Sequence, residues 1–81
     1  MVKMHPVESS SIGAIGYDER AQELWVEYHS RSGAYVYLGV PAHIYAELQS
    51  ADSKGGYVNR EIKPDFGYRY EPRPGRRTRA A

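Results

Sequence analysis

The chain has 81 residues and no cysteine, which is enough for one small domain and excludes disulfides and thiolate metal sites. No stretch approaches the roughly 18 consecutive apolar residues of a membrane span, and the start of the chain shows no signal peptide, so we expect a cytoplasmic protein. The net charge of +1 is unevenly distributed, because residues 1–63 hold six Lys or Arg and eight Asp or Glu, whereas residues 64–81 hold five Arg and two acids. On these totals, the first 63 residues lack the concentrated positive field that is typical of a nucleic-acid surface.

The first half of the chain predicts three antiparallel strands. Residues 11–17 favour a strand, although two glycines within them suggest an edge position or a bulge. Residues 23–29 alternate clearly between apolar and polar side chains. A short connection that contains Gly33, a residue able to adopt positive φ, leads into residues 34–38. Short links between successive strands predict a β-meander.

The alternation in the middle strand assigns its side chains to two faces. Leu24, Val26 and Tyr28 lie on one face, and Trp25 lies on the other. Trp25 is therefore a candidate for display on an open sheet face, together with His29. An exposed tryptophan is a frequent anchor in protein interfaces. Partial burial under the tail or the N-terminus is the alternative.

Two helices are expected after the strands. Pro41 suits the first position of a helix, and Ile44 and Leu48 recur at helical spacing. Ser53 is the expected N-cap of a second short helix, which Pro64 ends. We expect these helices to lie on one face of the sheet.

The C-terminal residues are predicted to form a flexible tail. Beyond Tyr70 the sequence has two prolines, a glycine and no apolar periodicity, which is typical of disorder. We therefore assign the domain to residues 1–67 and an arginine-rich tail to residues 68–81. The tail holds the only concentrated positive run, which could contact phosphates without sequence specificity or serve only solubility. Its candidate contacts are Arg73, Arg76 and Arg77.

Tyr35 and Tyr37 lie two residues apart and therefore project from the same face of their strand. Two interpretations are open. Neighbouring tyrosines could stack on nucleotide bases, as in RNA-binding proteins that use a sheet surface. If they share the face of Leu24 and Val26, however, they are core residues beneath the helices, and tyrosine is a common residue at such strand positions.

The sequence shows no catalytic or metal-binding constellation. His5, His29 and His43 have no metal-ligand spacing. The serines at residues 9–11 are not part of a nucleophile elbow. We therefore expect no metal, no cofactor and no enzymatic activity.

A series of short sequence pieces resembles a known family in both order and spacing. The pieces lie between about Val7 and Phe66, and they include Ser9-Ser10, Ile15-Gly16-Tyr17-Asp18, Leu24-Trp25-Val26, Tyr35-Val36-Tyr37, Val40-Pro41, Tyr45, Leu48, Ala51-Asp52-Ser53, Gly55, Tyr57, Asn59 and Ile62-Lys63. Together they resemble the KTSC domain, a short module at the C-terminus of some lysyl-tRNA synthetases that also occurs alone in small bacterial and phage proteins. The resemblance implies a compact β-meander with helices and an RNA-binding role. It implies no aminoacylation, because the rest of the synthetase is absent.

The sequence thus predicts an α+β domain, in which one or two short helices cover one face of a three-stranded antiparallel meander and a disordered basic C-terminal tail follows. The predicted function is that of a non-catalytic nucleic-acid-binding module for tRNA-like or single-stranded RNA. The alternative is a small protein-interaction module that uses the open sheet face around Trp25 or an edge strand. Within the domain, the predicted RNA contacts are Tyr35, Tyr37, Lys54, Arg60 and Lys63.

Overall fold

Five antiparallel strands follow one another in sequence order across one sheet in the structure, a computed structural model that describes residues 2–72. The strands are β1 (His5–Pro6), β2 (Ile12–Asp18), β3 (Glu23–Tyr28), β4 (Ala34–Leu38) and β5 (Tyr68–Glu71). Between β4 and β5 the chain forms the helices α1 (Ala42–Ser50) and α2 (Lys54–Tyr57), and α2 continues into a π-helical segment (Val58–Ile62). The α+β class and the antiparallel sheet are confirmed.

The sheet has two strands more than the sequence predicts. The predicted meander corresponds to β2, β3 and β4, and one additional strand lies at each edge. β1 has only two residues, too few to give a period-two pattern. β5 occupies the four residues that the prediction assigns to the start of the tail, and each of them has a partner in β4. Alternation of tyrosine with a charged residue in β5 is the signal that the prediction missed. The predicted disorder of residues 73–81 lies outside the described residues.

The register assigns the tyrosines of β4 to the helix-covered face of the sheet. Tyr37 lies opposite Leu24, and Tyr35 lies opposite Val26. Residues directly opposite one another in a sheet project to the same face. The two tyrosines therefore share the core face of β3, as the second interpretation of the sequence expects.

The helices begin and end close to the predicted positions. Pro41 is the N-cap of α1 rather than its first residue, with extended dihedral angles (φ −70°, ψ 157°). Ser53 caps α2, because its hydroxyl accepts a hydrogen bond from the amide of Gly56 at 3.0 Å. The chain then turns at residues 63–65, where Pro64 cannot continue a helix.

The core lies between the helices and the inner face of the sheet. Its best-buried residue from α1 is Leu48, and Val58 and Ile62 contribute from the π-helical segment. They pack with the inward residues of β2, β3 and β4. The buried members of this core are Ile12, Ile15, Leu24, Val26, Tyr37, Val40, Leu48, Tyr57, Val58 and Ile62.

Candidate functional site: a tyrosine cleft

A cleft of about 600 Å³ opens where the π-helical segment stands over β3, β4 and β5. We call it the tyrosine cleft, because four of the residues that line it are tyrosines. A second, shallower depression adjoins it and is lined by Arg31, Ser32, Tyr35 and Tyr70. The cleft itself is lined by Ser11, Tyr28, Ser30, Arg31, Tyr35, Tyr37, Gly55, Asn59, Lys63 and Tyr68.

The cleft exists because the sheet extends beyond the area that the helices cover. β5 adds a row of side chains to the inner face, where Tyr68 lies opposite Tyr37 and Tyr70 lies opposite Tyr35. Tyr68 and Tyr70 remain 58% and 46% exposed. The strand therefore supplies a wall of accessible aromatic rings.

The tyrosine rings form one contiguous cluster with Tyr35 at its centre. The centroid of Tyr35 lies 5.5 Å from that of Tyr28 and 5.4 Å from those of Tyr68 and Tyr70. These separations are typical of favourable aromatic pairs. At the base of the cleft, the hydroxyl groups of Tyr28 and Tyr37 share a hydrogen bond of 3.0 Å.

Burial adjusts the acidity of the two tyrosines at the base. It raises the pKa of Tyr37 well above the ordinary value, and the neighbouring Tyr28 hydroxyl reinforces the effect. It also raises the pKa of Tyr28, although the hydrogen bond with Tyr37 acts in the opposite direction. Both hydroxyl groups are therefore protonated and neutral at pH 7.

Two cations flank the tyrosine cluster. The ammonium nitrogen of Lys63 lies 5.5 Å from the centroid of the Tyr28 ring. The guanidinium carbon of Arg31 lies 6.0 Å from the centroid of Tyr35, and Arg31 also donates a hydrogen bond of 3.3 Å to the Tyr35 hydroxyl. Among the described residues, none that lines the cleft is acidic. The cleft is thus locally positive, although residues 1–63 carry more acidic than basic residues.

The structure brings three of the predicted RNA contacts together in the cleft, namely Tyr35, Tyr37 and Lys63. Tyr37, however, is only 2% exposed, so its ring face cannot stack on a base. The expected stacking role of Tyr37 therefore disagrees with its burial, and its position is that of a core residue.

The other predicted contacts lie elsewhere. The ammonium group of Lys54 donates to the main-chain oxygens of Gln49 and Ala51 at 3.0 and 2.8 Å, which satisfies carbonyl groups at the end of α1. Lys54 therefore lies outside the cleft, and two of its three ammonium donors bind the backbone. Arg60 is exposed but does not line the cleft.

The predicted contacts in the tail cannot be placed. Arg73, Arg76 and Arg77 lie outside the residues that the structure describes.

Several cleft residues were missed by sequence reasoning. The sequence assigns Tyr28 to the inner face but to no site, and it predicts no site for the short connection before residues 34–38, in which Arg31 lies. Tyr68 and Tyr70 repeat the spacing of Tyr35 and Tyr37, and this repetition is the signal that could have identified β5 and the cleft wall.

Trp25 lies on the outer face of the sheet, opposite Val36 and Gly16 in the register. It is half-buried rather than freely displayed. The guanidinium group of Arg69 lies over its ring.

The N-terminal segment passes close to the outer face of the sheet, because a side chain at Gly16 would lie within 2.8 Å of Val2, Lys3 and Met4. The alternative of partial burial, which the sequence left open, agrees with this arrangement.

Within residues 2–72, no group of three or more His, Asp or Glu side chains is arranged to hold a metal ion. No helix in this part of the chain is long and apolar enough to cross a membrane.

Comparison with known proteins places this fold in a family. The family model of the KTSC domain matches residues 8–66. The crystal structure of a KTSC domain protein from Yersinia pestis superimposes with a TM-score of 0.81 at 37% sequence identity, and the match covers 86% of this chain and 97% of that one.

Relatives in other bacteria fall into two groups by length. A protein of Tsukamurella paurometabola is 41% identical over 63 residues, which is 78% of this chain and 92% of the relative. A lysine–tRNA ligase of a Nostoc species is 41% identical over 61 residues, which is 75% of this chain but only 11% of the ligase. The likeness therefore covers a small part of the ligase and nearly all of the shorter protein. Because the family model matches most of the chain and the crystal structure superimposes closely, the chain belongs to the KTSC domain family.

Proposed function

We propose that the domain is a non-catalytic module that binds single-stranded RNA in the tyrosine cleft. The observation that carries the proposal is the combination of accessible tyrosine rings with two flanking cations in a cleft whose described lining includes no acid. Proteins that bind single strands combine stacking surfaces for bases with positive charge for the backbone in this way.

The accessible rings are those on the side of β5. Tyr68 offers the most exposed ring of the cleft, and Tyr35 is half-buried beside it. Tyr70 extends the same aromatic surface into the adjoining depression. A base that stacks on Tyr68 would therefore have a second aromatic surface within reach for its neighbour in the strand.

The cations are placed to contact phosphates next to stacked bases. Lys63 and Arg31 lie within 6.0 Å of the rings of Tyr28 and Tyr35. Both side chains are exposed at the mouth of the cleft. Ser30 and Asn59 add polar groups to the lining, where they can serve hydrogen bonds to base edges or 2′-hydroxyl groups.

The relatives support RNA as the nucleic acid. A stretch similar to this chain occurs in lysine–tRNA ligases, whose names identify tRNA as what they act on. The described lining of the cleft contains no histidine or carboxylate, and the proposal includes no catalytic step.

Titration of fluorescently labelled single-stranded RNA with the full chain tests the proposal. Tyr68→Ala should weaken binding about tenfold, since stacking on an aromatic side chain contributes about 1–3 kcal/mol per base. Lys63→Gln should also weaken binding and should reduce the salt dependence. Two phosphate contacts predict a slope of log affinity against log salt of about −1.4, and one contact predicts about half of that.

Arg60→Gln is the matched control, because Arg60 is an exposed cation within the π-helical segment that Lys63 directly follows, but it lies outside the cleft. It should leave binding nearly unchanged. Equal losses for Lys63→Gln and Arg60→Gln would mean that charge alone binds RNA. Binding that survives Tyr68→Ala but disappears on removal of residues 73–81 would assign the activity to the C-terminal arginines and refute the cleft.

The alternative function, protein binding around Trp25, has weaker support. The indole is half-buried, and Arg69 covers part of it. One observation favours it: the indole nitrogen of Trp25 is buried and has no hydrogen-bond partner. A partner that displaced Arg69 could accept that hydrogen bond, and co-purification that is lost in Trp25→Phe would support this function.

A further inference from the structure

β5 ends the sheet, and the exposed apolar side chains of the domain concentrate there. No strand of the described residues pairs with the outer edge of β5. The large hydrophobic residues that are exposed in the described part of the chain are Leu38, Tyr68 and Tyr70, all of them in β4 and β5. An edge strand with exposed apolar side chains is a template for pairing with another strand.

The hydrogen-bond pattern shows which backbone groups point out of the sheet. The amide of Leu38 donates to the carbonyl of Gly67 at 2.8 Å, in line with the register between β4 and β5. In antiparallel strands, bonded and non-bonded pairs alternate, so Arg69 and Glu71 bond to β4. The amides and carbonyls of Tyr68 and Tyr70 must therefore point to the free edge.

A second copy of β5 can complete this edge in a register that its charges select. When the two strands run antiparallel with Tyr70 opposite Tyr70 of the second copy, each Arg69 lies opposite Glu71 of the other copy. Opposite charges directly across a sheet stabilise the pair. When Tyr68 lies opposite Tyr70 instead, the two copies of Arg69 face each other, and like charges at that position are unfavourable.

We propose that two copies of this domain associate through β5, related by a twofold axis at Tyr70. Each Tyr70 amide donates to the Tyr70 carbonyl of the other copy, and each Tyr68 amide donates to the Pro72 carbonyl of the other copy. Pro72 has no amide hydrogen, so the pairing ends there. The two sheets then form one sheet of ten strands.

The association brings the two tyrosine clefts to one side of the joined sheet. Because the twofold axis is perpendicular to the sheet, both inner faces point in the same direction, and Tyr68 and Tyr70 of the two copies lie in one aromatic row. The proposal does not rest on RNA binding, since it follows from the free edge and its charges. The edge contact is short, so we expect a monomer–dimer equilibrium in the micromolar range or weaker rather than a permanent dimer.

Single cysteines test the register directly, because the natural chain has none. Opposite residues of a bonded antiparallel pair have Cα atoms about 5.5 Å apart, which a disulfide can span. Tyr70→Cys should therefore form disulfide-linked dimers under mild oxidation. Tyr68→Cys should not, because a rise of about 3.3 Å per residue separates the two copies of residue 68 by roughly 13 Å along the strands.

Leu38→Cys is the control for random collision, since Leu38 is exposed on β4 but away from the proposed axis. Equal yields for Tyr68→Cys and Tyr70→Cys would overturn the register. A yield for Tyr70→Cys no greater than that for Leu38→Cys would overturn the association itself.

Analytical ultracentrifugation of the unmodified chain and of Tyr70→Pro gives an independent test. Proline at residue 70 removes the tyrosine side chain with its hydrogen bond to Ser32. From the backbone it removes only an outward-pointing amide, so the ladder to β4 should persist. The natural chain should show a mass that rises with concentration, and Tyr70→Pro should stay monomeric. Tyr70→Phe keeps the amide and should still associate. A natural chain that is monomeric at all concentrations, or a Tyr70→Pro variant that is folded and associates normally, would refute the proposal.

Discussion

The guanidinium carbon of Arg69 lies 5.7 Å from the centroid of the Trp25 ring, which connects the last strand of the sheet to its middle strand. Arg69 is held there by two hydrogen bonds to Glu23, at 2.8 and 3.3 Å, and by one of 2.8 Å to Glu71. Trp25 in turn lies opposite Val36, which is fully buried although none of the helices in the described part of the chain covers this face. The outer face of the sheet therefore has a small core of its own, formed by Trp25 and the residues around it.

Trp25→Ala should lower the free energy of unfolding by about 2 kcal/mol or more, because it uncovers Val36 and removes the surface on which Arg69 lies. Urea unfolding followed by circular dichroism measures the change. Leu38→Ala is the control, since Leu38 projects from the same face but is 40% exposed, and it should cost less than about 1 kcal/mol. A loss for Trp25→Ala below about 0.5 kcal/mol would make Trp25 a surface residue, as the protein-binding hypothesis requires.

Gly33→Ala should destabilise the attachment of β5. Gly33 has a φ of 78°, and a Cβ atom there would lie 2.6 Å from the carbonyl oxygen of Glu71. Because both the turn and the backbone contact oppose a side chain, we expect a loss of about 1–3 kcal/mol. The fluorescence of Trp25 reports the change, since displacement of β5 removes Arg69 from the only tryptophan of the chain.

Gly67→Ala provides the comparison for Gly33→Ala. Gly67 lies at the other end of β5, and a Cβ atom there would meet nothing within 4 Å. This variant should have the same free energy of unfolding and the same Trp25 fluorescence as the natural chain. If both substitutions had the same effect, glycine content rather than the close approach to Glu71 would determine the stability of this region.

Sequence reasoning predicted the middle of the fold well because its signals are local. The alternation of Leu24, Trp25 and Val26 assigns two faces within one strand, and the Ser53 cap needs only the amide of Gly56, three residues away. The same alternation predicts that Tyr35 and Tyr37 share a face, but only their pairing with Val26 and Leu24 shows that this face is the helix-covered one.

What the sequence did not predict depends on contacts between distant residues. β5 is stabilised by pairing with β4, which lies more than thirty residues earlier in the chain, and by the bond from Arg69 to Glu23, 46 residues away. The prolines and arginines that follow Tyr70 concealed its period-two pattern. The cleft was missed for the same reason, since β5 forms one of its walls.

The effect of Gly55→Ala should depend on Ser11. A Cβ atom at Gly55 would clash with the Ser11 hydroxyl oxygen but would lie 3.6 Å from the Ser11 Cβ atom. In the natural background, the gain in helix propensity, about 1 kcal/mol, is offset by the displaced hydroxyl group. In the Ser11→Ala background the clash is absent, so Gly55→Ala should stabilise the domain.

A double-mutant cycle by urea unfolding measures this dependence. We expect the two substitutions to be coupled by about 0.5–1.5 kcal/mol. Additive effects would show that α2 does not approach the segment around Ser11 as closely as the structure places it.

Tyr57→Phe should change how stability depends on alkaline pH. Burial, reinforced by the neighbouring Glu47 carboxylate, raises the pKa of Tyr57 from 10.0 to about 12. Between these pH values the unfolded chain loses the phenolic proton while the folded chain keeps it, so ionisation favours unfolding. The contribution of Tyr57 to stability is therefore complete below pH 10, declines as the pH rises and reaches its lower limit above pH 12.

The matched variants separate this contribution from that of the other tyrosines. At pH 8, Tyr57→Phe should be less stable than the natural chain by about 1 kcal/mol, because the hydrogen bond of 2.7 Å to Glu47 is lost. The difference should shrink as the pH rises through 10 and 11, since phenylalanine cannot ionise. Glu47→Gln should retain most of the pH dependence, because burial is the larger cause of the raised pKa. A difference between Tyr57→Phe and the natural chain that stays constant from pH 8 to pH 12 would mean that the Tyr57 hydroxyl is as open to water in the folded chain as in the unfolded one.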